Sequence, residues 1–149
     1  MLTEKDYCDY DTCVALKELG FSKPTLAYYH GFLPSKPLLY LVIDEDCMPG
    51  DGVNVFDLLS NSNKYKDSKN IDAPTLWEAQ KWLREVKDIH LAVYYGKGRE
   101  TNRVWVCNLV MENKVRQLTY EGVLVKTFSS YEEALSEGIK EAVKILKGE

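Results

Sequence analysis

Thr75-Leu76-Trp77-Glu78-Ala79-Gln80-Lys81-Trp82-Leu83-Arg84-Glu85-Val86-Lys87-Asp88-Ile89-His90-Leu91-Ala92-Val93-Tyr94-Tyr95-Gly96 changes its period once, and that change decides the fold class. Thr75 to Glu78 reads as a capping box, in which a hydroxyl and a carboxylate each satisfy an otherwise orphan backbone N–H. Leu76, Ala79, Leu83 and Val86 then recur at three- and four-residue steps as one apolar stripe, with Trp82 on its flank and Trp77 roughly opposite. Lys87 and Asp88 close this helix. From Ile89 to Tyr95 the β-branched and aromatic density predicts a strand. A helix joined to a strand by so short a link cannot be part of a regular alternating parallel pattern unless other strands alternate with it.

They do not. Upstream, Asp11 to Leu19 predicts a helix with Asp9 or Asp11 as its cap, Leu16 and Leu19 facing inward and Gly20 at its stop. Thr25 to His30 and Leu38 to Ile43 predict two strands. Downstream, Val104 to Met111, Val115 to Tyr120 and Val123 to Phe128 predict three more, with turns at Gly96-Lys97-Gly98, Glu112-Asn113-Lys114 and Glu121-Gly122. Ser130 to Glu133 repeats the capping box, and Leu135, Ile139, Ala142, Val143 and Leu146 share one face of a C-terminal helix. Gly138 borders that face, where glycine costs about 1 kcal/mol relative to Ala; close packing against another backbone is one reading of it, and a tolerated weak spot the other. Helices separated from hairpin-linked strands specify an α+β fold, a mostly antiparallel sheet with helices packed on one face. Leu16-Lys17-Glu18-Leu19 leads to Ala27-Tyr28-Tyr29-His30-Gly31 much as Leu83-Arg84-Glu85-Val86 leads to Ala92-Val93-Tyr94-Tyr95-Gly96. A duplicated helix–strand–strand unit is one reading of this, and chance recurrence of a common unit the other.

The 149 residues are expected to form one domain, 1–149, with a core large enough to need no metal or disulfide staple. A long polar loop at about 44–72 interrupts it, with Val53 to Leu59 its only apolar island. Nineteen basic against twenty-three acidic residues give a net charge of -4, which argues against nucleic acid as the partner. No stretch approaches the roughly 20 apolar residues of a membrane span, and Met1 to Tyr10 carries no apolar leader. A cytoplasmic setting is therefore expected, and Cys8, Cys13, Cys47 and Cys107 are read as reduced thiols.

The segments Ala73-Pro74-Thr75 through Glu85, Tyr131-Glu132-Glu133-Ala134-Leu135 through Gly138-Ile139 and, more loosely, Leu16 to Tyr29 resemble a group of small uncharacterised α+β proteins encoded by phages and mobile elements of gut Bacteroidetes. The likeness fades across Asp44 to Asp72 and is loose between Arg99 and Phe128. It implies a bacterial or phage cytosol and an α+β domain, and it implies no reaction.

Chemistry-bearing constellations are sparse. Asp44-Glu45-Asp46 with Asp51 and Gly52 suggests a calcium loop, but an EF-hand count from Asp44 puts Met48, Pro49 and Val55 at positions 5, 6 and 12, so a solvated acidic turn is the better reading. The cysteines and the two histidines have no zinc-ligand rhythm; no metal and no cofactor are expected. Gly96-Lys97-Gly98-Arg99 lacks the Ser/Thr and helix of a phosphate loop. What stands out is aromatic surface. Alternation should send one ring of Tyr28-Tyr29, and one of Tyr94-Tyr95, into the core and the other out. With Lys97, Arg99 and Arg103, the outward rings would combine stacking with cations, the ingredients of a nucleotide or partner site. Sheet-stabilising aromatic pairs are the alternative. The function expected is a non-enzymatic binding or interaction module serving a phage or mobile element, engaging an unidentified protein or small ligand. The alternative is a small hydrolase or nucleotide-handling enzyme using His30 or His90 with carboxylates of the acidic loop. A homo-oligomer would show itself as a large apolar patch.

Overall fold

The structure, a computed structural model, describes residues 2–30, 38–41, 70–97 and 102–149. The acidic loop with Asp44, Glu45, Asp46, Cys47, Asp51 and Gly52, the island Val53 to Leu59, and Arg99 lie outside the described residues, as does the side chain of His30. The fold is α+β, with every strand pairing antiparallel. The length expected to form one domain holds two compact units, Met1–Thr75 and Leu76–Glu149, each with its own sheet.

In the first unit a single 3-10 turn, Glu4–Asp6, precedes α1, Tyr10–Glu18. Asp9 is its cap, the carboxylate accepting from Thr12 N–H at 2.9 Å. This spares one of the orphan donors of the first turn. Strands β1 (Ala27–His30), β2 (Leu38–Leu41) and β3 (Asn70–Asp72) follow, in the order β2-β1-β3. Leu16, Cys8, Cys13, Phe21, Ala27 and Tyr29 are buried around α1 and β1. The Tyr29 ring meets Tyr10 edge-on at 5.7 Å, and its hydroxyl donates to the Cys8 carbonyl at 2.9 Å. Burial pushes the Tyr29 phenol, and the Cys13 thiol even more, well above their ordinary ranges.

The second unit opens with α2, Leu76–Lys87, which begins directly after Thr75 as the capping box predicts. Leu76, Ala79, Trp82 and Leu83 are buried; Val86, expected on the same stripe, is 54% exposed. The stripe ends one turn early because the chain reverses at Asp88, whose φ of 53° lies in the left-handed region. Ile89 then returns its N–H to the Leu83 carbonyl at 3.0 Å and takes the buried place. Strands β4 (His90–Lys97), β5 (Arg103–Met111) and β6 (Lys114–Gln117) form the second sheet in that order. Gly96 and Lys97, read as turn residues, are strand residues paired with Val104 and Arg103. The β5–β6 turn consists of Glu112 and Asn113, both at positive φ, the mirror-image geometry that suits the twist of a tight hairpin.

Beyond Gln117 the predicted strand Val115 to Tyr120 breaks. Residue 117 pairs with Asn108, yet the next contact along β5 is a bridge from Phe128 to Trp105. The third strand is therefore split, and the residues between its halves leave the sheet as a small hairpin, β7 (Thr119–Tyr120) and β8 (Leu124–Val125). Lys126 N–H closes its base on the Leu118 carbonyl at 2.7 Å, and Glu121 and Gly122, at φ 49° and 76°, turn its tip.

The last helix, α3, spans Tyr131–Leu146. Ser130 caps it, accepting from Glu133 N–H at 3.1 Å. The Glu133 carboxylate departs from the capping-box expectation by one residue: it accepts from both the backbone N–H and the hydroxyl of Ser129, at 3.1 and 2.6 Å, which holds it below the usual carboxylate range. Helix α3 packs on β4 and β5, and α2 packs on β4 and on α3. Gly138 packs against the sheet, and its neighbours are the Cys107 and Leu91 side chains rather than a backbone. Each unit contains a helix followed by a hairpin, as the repeat reading has it, but the third strand joins opposite hairpin strands: β3 pairs with β1, whereas β6 pairs with β5.

Candidate functional site

Register assigns every side chain of the second sheet to a face, because directly opposed residues share one. Leu91, Val93, Tyr95 and Lys97 lie opposite Leu109, Cys107, Trp105 and Arg103. The burial of Leu91, Cys107 and Leu109 and the contact of Gly138 with Leu91 and Cys107 mark this as the helix-bearing face. Ala92, Tyr94 and Gly96, opposite Asn108, Val106 and Val104, form the outer face.

The tyrosine pairs behave differently. In β1, Tyr29 is core and Tyr28 half-buried, so alternation sends one ring inward. In β4 the expected alternation of burial fails, with Tyr94 43% and Tyr95 51% exposed. The two rings do point to opposite faces. Tyr95 is nonetheless open because α3 begins at Tyr131, which touches Trp105 edge-on at 5.5 Å. Because Tyr28 and Tyr29 belong to the first unit and Tyr94, Tyr95, Lys97 and Arg103 to the second, the predicted set divides. Tyr94 lies on the outer face. Tyr95, Lys97 and Arg103 stay together.

On the outer face the split third strand creates a hollow of about 610 Å³. Tyr94, Gly96, Val104, Val106 and Gln117 form its floor, and Tyr120, Val123, Leu124, Val125 and Thr127 of the hairpin segment its wall. Lys97 and Asn102 complete the rim. Tyr120 is 56% and Val123 81% exposed, with Leu124 and Val125 also open. The Lys126 ammonium lies 5.1 Å from the Tyr120 ring centre, steadying that wall. Beside the floor, Asn108 Oδ1 is buried and accepts no hydrogen bond among the described residues. A hollow of this size, largely apolar with a few polar groups and the Lys97 ammonium at its rim, has the build of a ligand or side-chain pocket.

On the helix-bearing face, the Tyr95 and Trp105 rings lie 4.9 Å apart and tilted by 36°, and the Arg103 guanidinium sits 5.8 Å from the Tyr95 centroid. His90, the other candidate, lies on β4 away from both places. Its Nε2 is 3.2 Å from Asp88 Oδ1, but both side chains are solvated. Cys8, Cys13 and Cys107 are buried thiols, and burial pushes that of Cys107 up to about 11, where it is a packing group and not a nucleophile. Among the described residues no three His, Cys, Asp or Glu cluster as a metal site would need, and no helix is long and apolar enough to cross a membrane.

The hairpin wall and Trp105 are what sequence reasoning missed. The available signal was Val123-Leu124-Val125, an unbroken apolar run after a Glu-Gly turn, where an ordinary edge strand would alternate. No protein-family model, curated protein or solved structure matches the chain.

Proposed function

We propose that the protein is a non-enzymatic binding module of a phage or mobile element, and that its ligand or partner docks on the outer face of the β4–β5–β6 sheet against the β7–β8 hairpin. One observation carries this: Tyr94, Tyr120, Val123, Leu124 and Val125, all exposed large hydrophobic residues, converge on a single hollow. Apolar side chains scattered over a surface need no explanation, but a contiguous group framing a concavity marks an interaction site. The chemistry of the lining supports binding over catalysis. Its described residues include no carboxylate, imidazole or thiol that could pass a proton or attack a carbonyl. The association with phages rests on the helix signatures at residues 73–85 and 131–139.

The test uses the apolar fluorophore anilinonaphthalene sulfonate as a probe of the hollow. We expect saturable binding at one site, weakened about 10-fold or more by Leu124→Asp, because a charge placed among apolar contacts must be desolvated. The thermal transition of this variant should remain cooperative, since Leu124 is 42% exposed. Failure to saturate at one site, or equal binding by the variant, would remove the reading.

A further inference from the structure

At the end of the β4–β5 hairpin, on the helix-bearing face, two cations stand directly opposite one another. Lys97 pairs with Arg103 in the register, so both side chains leave the same face. Like charges directly opposed across an antiparallel pair are destabilising. Among the described residues neither is joined to a carboxylate by an ion pair. The next opposed pair on that face is Tyr95 with Trp105, whose rings are in tilted contact, with Tyr131 set edge-on against Trp105. Arg103 already lies against the Tyr95 ring. Three aromatic rings in series, half or more of one of them solvated, therefore lead directly to two adjacent positive charges.

Nothing about sheet stability calls for that order. An aromatic pair suffices to staple two strand ends, and a cation facing a carboxylate would serve them better than a cation facing a cation. The arrangement suits a ligand that is planar and apolar at one end and anionic at the other. Base stacking tolerates any π-face and also the plane of a guanidinium, while Arg presents a fork and Lys a point charge to phosphate oxygens. We propose that this end of the sheet binds a free nucleoside monophosphate, with its base against the Tyr95–Arg103 stack and its phosphate between Lys97 and Arg103. The overall charge of -4 favours a free nucleotide over a polynucleotide, whose backbone would be repelled along the rest of the surface. Lys97 also borders the rim of the apolar hollow, so Tyr95→Leu and Arg103→Ala, at residues outside its lining, are the variants that separate this site from that one.

Calorimetric titration of the full chain with AMP tests this, with adenosine, inorganic phosphate and a short oligothymidylate as separate arms. We expect saturable AMP binding, with Lys97→Ala and Arg103→Ala each weakening it about 10-fold, the usual range for one charge-assisted hydrogen bond. Adenosine and phosphate should each bind more weakly than AMP, since each satisfies only half of the site. Tyr95→Leu should weaken AMP while leaving phosphate unchanged. Lys97→Glu provides the second readout: it converts the repelling pair into an attracting one, so the unliganded protein should melt at a higher temperature while AMP binding disappears. No saturable AMP binding, or AMP affinity untouched in Lys97→Ala and Arg103→Ala, would overturn the proposal. So would a lower melting temperature in Lys97→Glu. Oligothymidylate binding tighter than AMP would overturn the choice of a free nucleotide.

Discussion

Gly138→Ala sets two known effects against each other at one atom. Gly138 lies inside α3, where Ala is favoured over Gly by about 1 kcal/mol because it loses less backbone freedom on folding. On an exposed helix face the change would therefore stabilise. Here the new Cβ would stand inside van der Waals contact of Cys107 Sγ, with Leu91 Cδ2 and Cys107 Cβ both 3.6 Å away. Cys107 is fully buried on the central strand of its sheet, so its sulfur has no solvent to swing into. Overpacking of this kind costs about 1–3 kcal/mol. The balance is a net loss of about 1 kcal/mol, with a fall in melting temperature of about 3 °C for a chain of this length. Cys107→Ala removes the clashing atom and leaves only contacts at ordinary distance. Added to Cys107→Ala, Gly138→Ala should therefore stabilise, recovering up to about 1 kcal/mol of helix propensity. Urea titrations of the wild type, both single variants and the double variant, followed by tryptophan fluorescence, close the cycle, with an expected coupling of about 1–3 kcal/mol. Additive behaviour, or stabilisation by Gly138→Ala alone, would refute the packing argument.

Three other outcomes follow from local chemistry. Ser130→Ala removes the hydroxyl that accepts from Glu133 N–H and should cost about 1 kcal/mol by denaturant midpoint. The folded-state lowering of the Glu133 pKa should appear as a share of stability that is present above about pH 4.3 and lost as pH falls through the folded value, and Ser129→Ala should reduce that share. At the alkaline end the sign reverses, because folding raises the pKa of Tyr29. Its contribution is complete below about pH 10, the unfolded value, and fades as pH rises toward the folded one; urea midpoints of Tyr29→Phe should show a shallower decline there, together with a loss of about 1 kcal/mol near neutrality from the missing bond to the Cys8 carbonyl.

Much of the architecture was legible because its causes are local. Asp9, Thr75 and Ser130 mark helix starts within a few residues of themselves, since a cap acts only on the N–H groups of the following turn. Asn113 and Gly122 mark turns because Asn and Gly accept the positive φ that a tight hairpin needs. The switch from helical to alternating period at Lys87 to His90 distinguishes α2 from β4, and the order of helices and hairpins settles α+β. Trp77, placed opposite the apolar stripe by the same wheel, is exposed, while Trp82, placed only on its flank, is buried.

The site was only partly legible, because the face a strand residue points to is local but what covers that face is not. Tyr95 and Leu91 share a face, yet one is solvated and the other buried, depending on where α3 begins relative to the sheet. The fall of Val86 from the core follows from the reversal at Asp88, and the divergence of Tyr94 from Tyr95 from the register with β5. The hollow has still less local signature. It exists because the third strand lets go of β5 after Gln117 and resumes at Phe128, lifting Tyr120 to Val125 out over the sheet. A run of β-branched residues can pair in a sheet or stand away from it with the same intrinsic preference. The sequence alone therefore determined the helices, their starts and most of the strands, through forces that act within one turn of chain, but not β3, which closes the stretch read as a polar loop at about 44–72, nor the break after Gln117. Tertiary structure decided which surfaces remain open, because exposure depends on partners remote in sequence.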